Sequence, residues 1–137
     1  MTTANEIQIG GSHYQTGDIQ HWDIIIGWED GYAEGNATKY LSRWRKKHGV
    51  QDLEKARHYL VKAIEMAQGG LLTNLSCFAD EIPEATADLE KFYATADIGA
   101  VEELIMSGIL YWTEAADLEF ALKLLDGLID EAKTEQN

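Results

Sequence analysis

The hydrophobic positions over residues 35–48, GNATKYLSRWRKKH, place Ala37, Leu41 and Trp44 at helical spacing with polar residues between them. This predicts a helix with those three residues on its apolar side. Its other side carries Asn36, Lys39, Arg43 and Lys47, one face of the same helix. His48-Gly49 is expected to end it, because glycine accepts the left-handed conformation beyond a last helical turn. A second amphipathic run follows. Leu53, Ala56, Leu60, Ala63, Ile64 and Ala67 form its apolar stripe, and Lys55, Tyr59 and Lys62 run along one edge. Asp52 stands where a helix cap or first-turn acid belongs. Two helices joined by so short a turn pack antiparallel, which brings the two cationic edges around one concave site.

Either side of this hairpin the pattern is weaker. Residues 1–17 contain Gly10, Gly11 and Gly17 and read as an irregular arm, with a faint strand alternation at Ile7 and Ile9. In the run Ile19–Ile26, Trp22 and the isoleucines are expected in the core, and His21 and Asp23 in the first turn of a short helix. Gly27, Gly31 and Gly35 recur every four residues and read as points of close helix approach or as a break just before Asn36. Gly69-Gly70 marks a hinge or a helix stop. Leu71–Ala79, Pro83–Tyr93, Ala100–Trp112 and Asp117–Lys133 are then predicted helices. The expected fold is all-α, a helical hairpin core with additional C-terminal helices and a short irregular or β-like N-terminal arm. Two units are expected, residues 1–68 with the basic hairpin and an acidic helical region, residues 69–137. Residues 51–67 and 116–132 agree at 7 of 17 positions, and Leu41 and Trp44 have rough counterparts in Ile109 and Trp112. Phe120, Leu122 and Gly127 replace Lys55, Arg57 and Lys62. A duplicated hairpin whose second copy only supports packing explains this, and so does chance likeness between two amphipathic helices.

A chain of 137 residues suits one core burying roughly 68% of its unfolded surface. The single Cys77 excludes an intramolecular disulfide and fits a cytoplasmic setting. MTTANEIQIGG has neither a basic nor an apolar leader segment, so no signal peptide is expected, and no window reaches the length of a membrane span. The net charge of −13 argues against a DNA duplex as partner. It is unevenly spread: residues 1–62 hold 8 Lys/Arg and 8 Asp/Glu, and residues 63–137 hold 3 and 16. A compact cationic patch on an acidic chain suits a small anionic nucleotide, because flanking acids repel a long phosphate backbone and not a pocket-sized ligand. The plainer reading of such a run is a solvated helix face. No G-x-x-x-x-G-K-[ST] phosphate loop is present.

Across His13–Glu65 the chain carries His13-Tyr14, Ile19-Gln20, Asp23, Gly35-Asn36, Lys39-Tyr40, Arg43, Lys47-His48-Gly49, Asp52-Leu53, Lys55-Ala56 and Tyr59-Leu60. In this combined spacing it resembles a phage-encoded domain family found with the nucleotide kinase of small T-odd phages. It departs at His21, where the family has proline, and the likeness covers under half of the chain. The resemblance implies phosphoryl transfer to a deoxynucleoside monophosphate without a Walker motif, in the cytoplasm of an infected bacterium. A kinase would also require Mg2+ and a nucleoside triphosphate donor.

Phosphoryl chemistry asks for cations around spread negative charge. Lys39, Arg43 and Lys55 are the candidate phosphate clamps, with Lys47 on the same face and Arg43 able to hold two oxygens. Asn36 could bond a base, a sugar or a phosphate. His13 could donate, and Tyr14, Tyr40 or Tyr59 could stack on a base. For each of these residues packing or capping is the competing role. His48 and His58 lie near the patch, and Asp23 and Asp52 are the carboxylates that could bridge a metal; no metal-ligand set and no catalytic residue is assigned. Catalysis is left open. The alternative to a kinase is a sponge that sequesters a nucleotide or a cyclic-nucleotide immune signal, an anti-defence role. An all-α pyrophosphohydrolase would need acid pairs such as Glu81–Glu84 and Glu114–Asp117, and Pro83 sits badly inside the first. A homo-oligomer, with a site shared between subunits or with the acidic tail as its contact surface, is also expected.

Overall fold

Hydrophobic spacing becomes helix throughout the computed structural model, which describes Glu6 and residues 19–28, 31–70 and 83–136. The elements are α1 (His21–Trp28), α2 (Tyr32–Arg43), α3 (Val50–Gln68), α4 (Pro83–Thr95), α5 (Ala100–Leu110) and α6 (Ala115–Glu135). Among the described residues there is no strand, and the fold is all-α. The expected N-terminal arm, the helix over Leu71–Ala79 and Cys77 lie outside the described residues.

The hairpin is α2 and α3, shifted from its expected bounds. Helix α2 begins at Tyr32, one residue after Gly31, so no break precedes Asn36. Gly35 lies inside α2 at a close approach to α1, where an added Cβ would meet Ile25 Cγ2 at 3.4 Å. Helix α2 also stops sooner than expected, at Arg43, and residues 44–49 form a turn. Lys47 is therefore an exposed turn residue and leaves the face it was expected to share. Gly49 does hold a positive φ of 61°, but it precedes α3 rather than closing α2, and its N–H bonds Trp44 O at 2.8 Å. Asp52 is the acid that secures this entry: its Oδ2 accepts the His48 N–H at 3.1 Å.

The buried stripes of α2, α3, α5 and α6 meet in one core. Leu41, Leu53, Leu60, Ile105, Ile109, Leu118 and Leu125 are each at most 1% exposed. Burying such a side chain contributes about 1.5–3 kcal/mol. Ile24 of α1 and Phe92 of α4 close the core at one end. Trp22 is not part of it. It stands on the opposite side of α1 from Ile24 and is 46% exposed.

Polar bonds tie α2–α3 to α5–α6. Trp44 Nε1 donates to Glu102 Oε2 at 3.2 Å, and Trp112 Nε1 donates to Glu34 Oε2 at 3.1 Å. Lys133 pairs with Glu54 at 3.3 Å and Gln68 bonds Glu119 at 2.6 Å, so each end of α3 meets the opposite end of α6. These two helices run antiparallel. Helix α6 opens on a capping box in which Asp117 accepts the N–H groups of Thr113 and Glu114.

Candidate functional site

The antiparallel hairpin brings α2 and α3 cations to one place. Lys39 Nζ lies 4.6 Å, Arg43 Cζ 4.5 Å and Lys55 Nζ 5.3 Å from the centre of the Tyr40 ring. The negative face of an aromatic ring is a natural seat for such groups. Tyr59 stacks on Tyr40 with ring centres 5.9 Å apart and planes 11° apart, and Tyr32 meets Tyr59 edge-on at 5.8 Å. A hydrogen bond with Tyr32 raises the pKa of the Tyr59 hydroxyl above its usual value.

Arg43 is held from beneath. Its Nη2 donates to Asp52 Oδ1 at 3.2 Å, and the Asp52 side chain is 0% exposed. One carboxylate thus secures the start of α3 and fixes a mostly buried guanidinium, 12% exposed, against the Tyr40 ring. Among the described residues neither Lys39 nor Lys55 has a carboxylate partner. Both are half-buried, in a chain with more than twice as many acids as bases.

Shallow hollows ring this cluster. One of about 370 Å³ is lined by Tyr40, Gln51, Glu54, Lys55, His58 and Tyr59. A second, about 400 Å³, lies beyond Tyr59 against Tyr32, Lys62 and Met66. A third, about 290 Å³, is bounded by Trp22, Tyr32, Asn36 and Lys39. Asn36 Nδ2 donates to Tyr32 O at 2.8 Å, which directs its amide along the α2 surface.

Of the residues expected in the site, Asn36, Lys39, Tyr40, Arg43, Lys55 and Tyr59 lie together on the hairpin surface. Lys47 stands apart in the turn, and His13 and Tyr14 lie outside the described residues. Tyr32 and Trp22 are additions. Tyr32 precedes Asn36 by one helical turn on the same stripe and became legible only once α2 was seen to start there.

Among the described residues no group of three or more His, Cys, Asp or Glu side chains is placed to hold a metal ion. Asp52 is buried and committed to Arg43 and the His48 N–H, and Asp23 Oδ2 accepts the Gln20 N–H at 2.9 Å. Glu114 and Asp117 are taken up in the capping box, and Glu81 lies outside the described residues.

Beneath the face, in addition to Asp52, sit the buried titratable groups His21 and Glu34. His21 is driven down to about pKa 3 by burial and by the nearby Lys39 charge, and its Nε2 lies 2.8 Å from Thr38 Oγ1. Burial raises the Glu34 carboxyl above the usual range, partly offset by the Trp112 bond, and its Oε1 has no hydrogen-bond partner among the described residues.

A family model described as a protein of unknown function (DUF3310) matches residues 9–61. The matched stretch contains α1, α2 and α3 as far as Val61, and so every site residue named above except Lys62 and Met66. No curated protein matches the chain, and no solved structure does. No described helix is long and apolar enough to cross a membrane.

Proposed function

We propose that the α2–α3 face binds a nucleotide, its phosphate held by Lys39, Arg43 and Lys55 and its base set against the Tyr32, Tyr59 and Trp22 rings. The observation that carries this reading is the convergence of three cations within 5.3 Å of the centre of one ring. Like charges so placed repel one another, and only Arg43 has a carboxylate partner among the described residues. A phosphate relieves that repulsion and accepts charge-assisted hydrogen bonds from all three. Hollows of 290–400 Å³ suit a ligand the size of a nucleotide rather than a duplex.

The resemblance of His13–Glu65 to the phage nucleotide kinase family favours a deoxynucleoside monophosphate as the ligand, and transfer of a phosphoryl group to it as the second reading. Calorimetric titration with the four deoxynucleoside monophosphates tests binding. Incubation with the bound monophosphate, ATP and Mg2+ separates the two readings. Nucleoside diphosphate product marks a kinase. Ligand recovered intact after heat denaturation marks a sequestering protein. Absence of binding to any of the four removes the proposal.

A further inference from the structure

The bonds joining α2–α3 to α5–α6 include two matched pairs, besides Arg57–Asp126, which has no counterpart because Leu122 and Val61 stand at the equivalent positions. Trp44 donates to Glu102, while Trp112 donates to Glu34. The offset in sequence from Trp44 to Trp112 equals the offset from Glu34 to Glu102, so each hairpin supplies one indole and one carboxylate from the same two places. Glu54 pairs with Lys133, while Gln68 bonds Glu119. Here too the offset from Glu54 to Glu119 equals that from Gln68 to Lys133, and it is also the offset from Asp52 to Asp117. Asp52 and Asp117 each accept the backbone N–H of the residue four before, His48 and Thr113. The second offset is slightly shorter than the first, and the difference falls in the turn: Trp44 to Asp52 spans eight positions and Trp112 to Asp117 spans five.

A contact in which one unit's first residue meets the other's second, and the reverse, defines an isologous interface. Two unrelated amphipathic helices share apolar stripes. They do not share reciprocal polar bonds. We infer that α2–α3 and α5–α6 are two copies of one hairpin paired about a twofold axis, with the second copy standing where a partner subunit would. The copy has kept the pairing surface and lost the cations. Leu104, Tyr111 and Phe120 occupy the positions of Asn36, Arg43 and Lys55.

The two copies differ at one instructive point. Arg45, next to Trp44, reaches Glu102 Oε2 at 2.9 Å, whereas the residue next to Trp112 is Thr113, and Glu34 has no arginine among the described ion pairs. Under the twofold relation an arginine at position 113 reaches Glu34, although the two positions belong to different hairpins. Thermal unfolding of T113R and T113A in the wild-type and E34Q backgrounds at neutral pH tests this independently of any ligand. The expected result is that T113R melts roughly 2–6 °C above T113A when Glu34 is present and that the gap closes in E34Q. No gap with Glu34 present, or the same gap in both backgrounds, overturns the inference. T113K is measured the same way if T113R does not fold.

Discussion

The indole N–H of Trp44 meets the carboxylate of Glu102 across the molecule, 3.2 Å away and 58 residues distant in sequence. Burial pushes the Glu102 carboxyl up, but Arg45, the Gly99 backbone N–H and Trp44 together hold it below the usual range. Glu34 accepts the Trp112 indole in the same way without an arginine, and burial raises it. The conservative substitutions therefore carry opposite signs. Glu34→Gln keeps an oxygen for Trp112 and removes a charge whose burial its hydrogen bonds only partly offset; it is expected to raise the melting temperature at neutral pH by about 2–4 °C, equivalent to roughly 1 kcal/mol. Glu102→Gln leaves Arg45 without its partner and is expected to lower it by a similar amount. Parallel melts of the two variants check this.

The same groups give opposite pH dependence. A folded carboxyl raised above its unfolded value holds its proton longer, so the Glu34 contribution weakens as pH rises from the unfolded 4.5 through its folded value. Glu102 has the reverse sign, contributing fully above 4.5 and losing that contribution as pH falls through its lowered folded value. The E34Q variant should gain most above the raised folded value of Glu34 and lose its advantage in acid, as read by denaturant midpoints across pH.

His21 adds an acid-sensitive element. Its folded value near 3 lies below the unfolded 6.5, so the unfolded chain binds the extra proton in between. Stability from this site is complete above pH 6.5 and falls as pH drops towards 3, with a slope up to about 1.4 kcal/mol per pH unit. His21→Gln, which keeps a partner for Thr38, should remove that portion of the slope.

At the proposed site, Lys39→Ala combined with Arg43→Ala is expected to abolish measurable nucleotide affinity while helical circular dichroism stays intact. Lys55→Ala alone should cost about 10- to 100-fold, the loss of one charged hydrogen bond. Lys47→Ala, in the turn, should leave affinity within about twofold. Calorimetric titration with the monophosphate that binds wild type checks all three.

Asp52→Asn separates scaffold from ligand contact. It removes the charge that faces Arg43 and weakens the entry to α3, with an expected cost of about 2–3 kcal/mol in stability. Asp117→Asn disturbs the equivalent cap, which has no arginine beside it among the described ion pairs. Only the first variant should also lose nucleotide affinity, because only there is a site cation left unpositioned. Denaturant melts and calorimetric titration of the two variants check this.

Much of this architecture is legible in the chain. The stripe from Leu53 to Ile64 forms the buried side of α3, since an unbroken helical period with no competing breaker leaves one solution. The bounds of α2 were harder to read. Gly35 suggested a break, but a missing Cβ also permits contact with Ile25, and tertiary packing decided the matter. Residues 44–48 read as helical by composition, yet the chain turns after Arg43 to deliver Asp52 beneath the guanidinium. Trp22 read as core by residue type alone, which says nothing about the side of α1 it occupies. The cations were visible as a run, whereas their gathering around Tyr40 required the turn. The Glu–Trp exchange was hidden because each half of it lies in a different hairpin.

That exchange has one consequence for how the protein must be handled. Nothing in the bonds of Trp44, Trp112, Glu54 or Gln68 registers whether the hairpin opposite is on the same polypeptide. Concentrated chains refolding together can therefore trade halves and emerge as interlocked pairs with every native bond satisfied, whereas dilute refolding yields the closed single chain.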